Sequence, residues 1–278
     1  MKIVAFAGRK VSGKSSRVNF VMGQAMLAHG VINDFKINED GQLWVVNEEF
    51  GKKREGVFPL NQNNEAYVEY MRQNVYPYCR DYNLADPLKK LAMTFGLTWE
   101  QCYGTDEQKN SLTELRWEDM PGVVSDTNCD LFTNVCNARD NPKQYPYDYS
   151  KLYARTGKLT ARQFLQYLGS DIFRRMDKNY WTRTLQHNIL ADKSELALVG
   201  DVRFKNEKNA ISDMGGKVIF LMRNIDSADT HSSEQDLRPD MNFDLVIDNR
   251  ELTHDETNEI LLEKLTQWNI LKPIKRFN

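Results

Sequence analysis

Apolar and polar positions along this chain fall into two regimes. Short, nearly unbroken apolar runs occur at residues 2–7 (KIVAFA), 196–199 (LALV), 217–222 (KVIFLM) and 243–248 (FDLVID), and a shorter extended segment is expected near 79–84. Between them the spacing is helical. Val18, Val21, Met22, Ala25 and Met26 share a face in the segment from Ser15 to about His29, and further helices are predicted over 64–77, from Pro87, from Thr160, and over 179–192, 205–214 and 255–268. Apolar strands with little alternation, separated by helices, predict a five-stranded, mostly parallel sheet covered on both faces.

Local punctuation supports these elements. Pro87 suits a first helical position with Asp86 as N-cap. Thr160 and Gln163 form a capping-box pattern, and Gly215-Gly216 is a helix stop. In the Thr160 helix, Phe164, Leu165, Leu168 and Ile172 make an apolar stripe. The opposite face carries Arg162, Gln166, Gly169 and Phe173, where the glycine would let a ligand or another backbone come close. Two stretches break the rhythm. In 31–58, Asp40-Gly41 between extended runs predicts a hairpin. Residues 111–150, rich in Asn, Asp, Pro and Tyr, read as an irregular insertion.

Composition narrows the classes. A chain of 278 residues suits one large domain or a core with insertions, and 41% hydrophobic content supplies a core. A net charge of −2 argues against a general nucleic-acid or membrane surface, so an anionic substrate must meet local basic groups. The four cysteines lack metal-ligand spacing and read as reduced thiols. The chain enters its first strand at once and no apolar run approaches a membrane span, so a cytoplasmic protein without a signal peptide is expected.

Candidate chemistry begins where the first strand ends, in GRKVSGKSS. Strand, Gly-x-x-x-x-Gly-Lys-Ser and helix is the context of a phosphate-binding loop. Gly8 and Gly13 free the backbone to form a nest of N–H groups, and the following helix adds the positive end of its dipole. Lys14 would neutralise β- and γ-phosphates and Ser15 would ligate Mg²⁺, with Ser12 and Ser16 completing the loop. Ligands of parallel sheets bind at the carboxyl ends of strands, where the loop, Asp86, Asp201 and Arg223 would gather. Asp201 reads as a Mg²⁺ aspartate or as a strand-end turn residue. Arg203 reads as a bidentate phosphate contact or as a surface ion pair with Glu207. The polar stretch 223–242 reads as a lid that closes Arg223 and Arg238 on a transferring phosphoryl group, or as a surface loop, with His231 structural. Arg162 and Gln166 read as base, ribose or phosphate contacts or as a solvated helix face.

Taken in order, GRKVSGKSS, ADPLKKLA with CYGTDEQKN, TARQFLQYLGSDIFRR with NYW, DVRFKNE and HSSE resemble the phage-type deoxynucleoside monophosphate kinases of the phosphate-loop NMP kinase superfamily. The matching pieces cover about half the chain and span it end to end. The resemblance implies a three-layer α/β/α fold. Its core would be 1–30 and 195–278 with the strand near 79–84, an acceptor-binding helical region 31–194 and a lid 223–242. It implies ATP held by Lys14 and the loop amides, Mg²⁺ held by Ser15 and organised by Asp201, and Arg203 facing the acceptor phosphate. It also implies an acceptor site lined by Arg162, Gln166 and Arg174 with Asp86 and Lys89 beside it, and lid arginines Arg223 and Arg238. The implied product is a deoxynucleoside diphosphate for phage DNA synthesis in a host cytoplasm. The expanded 31–58 and 111–150 segments are where base preference or a homodimer contact would be set. Two rivals stand beside this reading: a kinase of another small acceptor, dephospho-coenzyme A or phosphomevalonate, and a nucleotide-dependent DNA-handling or regulatory protein. A degenerate member that only binds nucleotide is a third.

Overall fold

A computed structural model of the chain describes residues 1–9, 12–49, 52–58, 60, 62, 64–123, 156–223 and 236–272. Its elements run β1 (Lys2–Ala7), α1 (Lys14–Ala28), β2 (Asp34–Ile37), β3 (Leu43–Glu49), β4 (Lys52–Val57), α2 (Glu65–Asn74), β5 (Cys79–Tyr82), α3 (Asp86–Thr94), α4 (Trp99–Tyr103), α5 (Asp106–Lys109) and β6 (Leu112–Arg116). They continue with β7 (Lys158–Thr160), α6 (Ala161–Gln166), α7 (Tyr180–Asp192), β8 (Leu196–Val202), α8 (Lys205–Asp213), β9 (Lys217–Met222), β10 (Leu245–Asp248) and α9 (His254–Gln267). The chain forms two compact units, Met1–Ala85 with Trp181–Asn278, and Asp86–Tyr180.

The first unit is built on a five-stranded sheet in the order β10-β9-β1-β8-β5, and every pairing is parallel. Helices flank it, so the expected α/β architecture is what the chain adopts. β1 lies in the centre and is buried from Ile3 to Ala7, which is why its sequence shows no alternation. α1 buries Val18, Val21, Met22, Ala25 and Met26 in a core shared with the sheet and with Leu261 and Leu265 of α9. Each of the larger of these side chains contributes roughly 1.5–3 kcal/mol on leaving water. β8 runs through Val202, so Asp201 lies within its last turn of pleat rather than just past its end. The expected helix stop forms at the close of α8, where Gly215 takes φ +77° and Gly216 N–H donates to Ile211 O at 3.0 Å, and α9 opens with a capping box of Thr253 and Glu256 that the sequence reading did not single out.

The predicted 31–58 hairpin is part of a larger element. Its turn falls at Asp40-Gly41, with Gly41 at φ +76°, but β4 adds a third antiparallel strand to β2 and β3. β4 reads KKREGV and is an exposed edge, so it carried no apolar pattern to reveal it. This small sheet is docked on α1 through Gly23. A Cβ there would meet Phe35 ring carbons at 2.5 Å and Leu43 at 2.9 Å, so only glycine lets the two elements pack so closely.

The second unit has its own core, around Ala92, Trp117, Leu159, Phe164, Tyr167 and Leu168. Residues 112–116 at the start of the expected irregular insertion form β6 and pair with β7; residues 124–155 lie outside the described residues. Thr160 and Gln163 make both arms of the capping box before α6. From Tyr167 to Arg174 the helix is π rather than α, yet Phe164, Leu165, Leu168 and Ile172 of the expected stripe all pack in this core. Gly169 is buried, and what its missing Cβ admits is the side chain of Leu88, whose Cδ2 would lie 2.7 Å away.

Candidate functional site

The carboxyl ends of the parallel strands carry a cleft of about 470 Å³ lined by Ser12–Ser16, Asn83, Gly200, Asp201, Arg203, Arg223 and His254, with Glu39 and Asp40 of the β2–β3 turn. All of it belongs to the first unit. β1 delivers the chain into the loop. Gly8 has φ +143°, and a Cβ there would meet Leu221 O at 2.6 Å. Gly13 caps α1 at φ +90° without a side-chain bond, and the first turn of α1 holds no acidic residue. The helix therefore brings its N-terminal N–H groups to the cleft without a side-chain cap of its own.

Lys14 is 7% exposed, and its ammonium donates to Gly8 O at 2.7 Å, to Arg9 O and to Ser12 Oγ at 3.3 Å. The loop thus folds around its own lysine. Asn249, just past β10, donates from Nδ2 to Ser12 O at 3.1 Å and buttresses the loop from behind. Asp201 accepts Leu84 N–H at 2.8 Å on Oδ1 and Ala85 N–H at 3.3 Å on Oδ2, so its carboxylate is anchored between β8 and the end of β5. Glu207 also serves the backbone here. Buried at 2% exposure, its Oε2 accepts the backbone N–H of Arg203 at 2.8 Å and of Phe204 at 3.0 Å, which caps α8.

Of the residues singled out in the sequence, the cleft collects Ser12, Gly13, Lys14, Ser15, Ser16, Asp201, Arg203 and Arg223, with Gly8 bonded to Lys14 beneath it. Arg238 is exposed and is not among the lining residues. Residues 224–235, which hold His231 and most of the expected lid, lie outside the described residues.

The remaining candidates belong to the second unit. Asp86 is the first residue of α3 rather than its N-cap; it meets Lys89 at 4.0 Å and bonds the Tyr103 hydroxyl, whose pKa burial and Asp86 together push up. Lys89 lies 4.2 Å from the Tyr103 ring centroid. Arg162 pairs with Asp106 at 2.8 Å, Gln166 is exposed, and Arg174 is half-buried in the π turn.

Several residues in or behind the cleft escaped the sequence reading. Asn83 and Asn249 each follow a sheet strand, and the strand-end rule applied to every strand would have found them. Arg17 and His254 left no local signal. Arg17, at 2% exposure, donates to His254 O at 3.1 Å and bonds His254 Nδ1 at 2.5 Å. Burial and the nearby Arg223 bring its pKa down to about 10, and burial together with Arg17 lowers that of His254.

Among the described residues no group of three or more His, Cys, Asp or Glu could hold a metal alone, and no helix is long and apolar enough to cross a membrane. The hydroxyl of Ser15 and the carboxylate of Asp201 line the same cleft as the loop amides. Two hard oxygen donors with room for phosphate oxygens fit Mg²⁺, which takes few protein ligands beside substrate phosphates.

Comparison with known proteins identifies what this arrangement resembles. The family model for deoxynucleotide monophosphate kinase matches residues 51–260. An Acanthamoeba polyphaga mimivirus protein described as "Putative deoxynucleotide monophosphate kinase" is 30% identical over 203 residues, covering 67% of this chain and 84% of the relative.

Proposed function

The chain belongs to the deoxynucleotide monophosphate kinase family and is a nucleotide-phosphate kinase, and on that premise we propose that it transfers the γ-phosphoryl of ATP to a dNMP, making a dNDP for phage DNA synthesis. The observation that carries the reading is the single cleft in which the glycine loop, Lys14 and Ser15 share walls with Asp201, Arg203 and Arg223. A polyphosphate needs that concentration of N–H groups and cations, and a bare turn does not.

In this reading the loop amides hold the donor phosphates, with Ser12, Gly13, Ser15 and Ser16 as their frame. Lys14 exchanges its bonds to Gly8 O and Arg9 O for phosphate oxygens and follows the charge that builds between β- and γ-phosphates. Ser15 and Asp201 would hold Mg²⁺, which supplies charge neutralisation at those oxygens. Asp201 is kept in place by the amides of Leu84 and Ala85. Arg203 orients the acceptor phosphate, and Arg223, with Arg238, excludes water and steadies the transferring group. The acceptor's oxyanion is already nucleophilic, so positioning and electrostatics suffice and no protein nucleophile is needed. Asp86, Lys89, Arg162, Gln166 and Arg174 are the proposed acceptor contacts.

The test is ADP formation from ATP against a panel of dNMPs and NMPs. Turnover restricted to deoxynucleotides is expected. Turnover only with dephospho-coenzyme A or phosphomevalonate would move the chain to another acceptor, and hydrolysis stimulated by DNA but indifferent to dNMPs would remove the kinase reading.

A further inference from the structure

We infer that Asn249 is a positioning residue of the transfer, whose side-chain amide aims the Gly13 N–H at the donor's phosphates; the inference rests on the kinase reading above. Asn249 follows β10 and is 6% exposed. Its own N–H donates to Met222 O at 2.9 Å, at the end of β9, so the sheet holds its backbone. From there Nδ2 donates to Ser12 O at 3.1 Å, across 237 positions of sequence. A Cβ on Gly13 would lie 3.6 Å from Asn249 Nδ2, so the amide packs directly on the Ser12–Gly13 peptide.

That bond fixes a direction. No cis peptide occurs among the described residues, and in a planar trans unit the C=O and the N–H point opposite ways. Drawing the Ser12 carbonyl onto Asn249 therefore turns the Gly13 N–H to the other side of the loop. Ser12 and Gly13 both line the cleft, and among the described residues no acceptor is paired with the Gly13 N–H. The local backbone does not settle this direction by itself. Gly13 holds φ +90°, and a half-turn of the preceding peptide would take it to a negative φ that glycine accepts as readily. The flipped loop would present a carbonyl oxygen where the polyphosphate needs a donor.

The neighbouring carbonyls are secured from within the loop and its helix. Gly8 O and Arg9 O accept from the Lys14 ammonium, Arg9 O also accepts the Ser12 N–H at 3.2 Å, and Gly13 O accepts the Arg17 N–H at 3.1 Å. Ser12 O takes its donor from Asn249, on the far side of the sequence. That amide is costly to keep. Asn249 Oδ1 is buried with no hydrogen-bond partner among the described residues, and a buried acceptor left unpaired costs stability. An apolar residue of the same size would avoid that cost. What the amide supplies instead is a donor that reaches Ser12 O.

The experiment measures MgADP affinity by titration calorimetry, and the kinetic constants for ATP and one dNMP, in the wild-type chain and in Asn249→Asp and Asn249→Leu. Both substitutions keep the approximate shape and remove the donor, one adding a charge and one adding none. In both, the Kd for MgADP and the KM for ATP should rise about tenfold or more, the scale of one hydrogen bond to a charged group. The kcat at saturating ATP and the KM for dNMP should stay within about threefold, as when binding common to ground and transition states is lost. Asn249→Gln, which carries the amide on a longer arm, should recover part of the affinity. An asparagine that serves only the fold would lower the melting temperature and leave these constants alone, because Kd and KM are read from folded protein. Unchanged MgADP affinity in both donorless variants overturns the inference, as does a rise in Asn249→Asp alone, which would mark the added charge. Failure of both variants to fold overturns it too, since Asn249 would then belong to the fold and not to the aim of the loop. Each of these results leaves the kinase reading standing. Absence of ADP from the wild type with every acceptor would instead sink that reading, while the MgADP affinities would still judge the loop.

Discussion

The two units hold their candidate cations in opposite ways. On the phosphate-loop side, Lys14 and Arg17 are almost wholly buried, and their bonds include ones to carbonyls, a hydroxyl and an imidazole of their own unit. In the helical unit, Arg162 and Lys89 stand nearer the surface, each against a carboxylate, Asp106 and Asp86. A bond to a backbone carbonyl leaves a cation's formal charge in place, and the carboxylates of Glu39, Asp40 and Asp201 line the same cleft. A carboxylate partner must be given up or shared when an anion binds. The contrast teaches that burial fixes the cations of the first unit, while exchangeable pairs hold Arg162 and Lys89 of the second.

The largest test of that contrast is Lys14→Met. Loss of the buried ammonium should lower kcat by about 10²–10³, about 2.7–4 kcal/mol of transition-state stabilisation. Unchanged far-UV circular dichroism with that loss is expected; full activity would take Lys14 out of the site. Next comes Gly23→Val, which drives side-chain carbons into Phe35 and Leu43 and should destabilise the protein by about 1–3 kcal/mol in urea denaturation. Its KM for ATP should rise as well, because the displaced sheet carries the Asp40-Gly41 turn. A stable variant would mean the small sheet is only loosely seated.

Arg162 sharpens the other half. An exposed pair of this kind is worth about 0.2–1 kcal/mol, so Arg162→Ala should barely shift the melting temperature. If Arg162 holds an acceptor phosphate, the KM for dNMP should nevertheless rise about tenfold, and Asp106→Asn, which releases the arginine, should leave KM equal or lower. An unchanged KM in Arg162→Ala would reduce the residue to a solvated helix face. The smallest effect concerns pH. The folded pKa of His254 lies below its ordinary 6.5, so the unfolded chain takes up the proton first on acidification. The stabilisation from the neutral ring is complete above about pH 6.5 and is lost as pH falls through the folded value. Melting temperatures at pH 7.5 and 5.5 should therefore differ less in His254→Gln than in the wild type.

What was legible in the sequence was local. The parallel strands, the glycine loop and the Thr160 capping box are encoded within a few residues each, and the structure has them where they were expected. What escaped depends on distant pairings. Arg17 and His254 are 237 positions apart, and neither has a neighbour that hints at the other. β4 is an edge strand whose Lys and Arg side chains face solvent, so no periodicity marked it. The apolar stripe after Thr160 fits an α period, and nothing in that spacing marks the change to π geometry at Tyr167. Glu39 and Asp40 read as ordinary turn residues until Gly41 is seen resting on Ser16.

β1 sits between β8 and β9, and Asn249 ties the loop's Ser12 carbonyl to the residue after β10. Every partner of the first strand is thus made in the last third of the chain. During synthesis the amino terminus must wait, unpaired, until residues beyond 196 have emerged, and such distant closures form slowly. If the glycine loop is the proposed phosphate cradle, nucleotide capture would follow complete assembly, because a ribosome-bound fragment ending before β10 lacks the strut behind that loop.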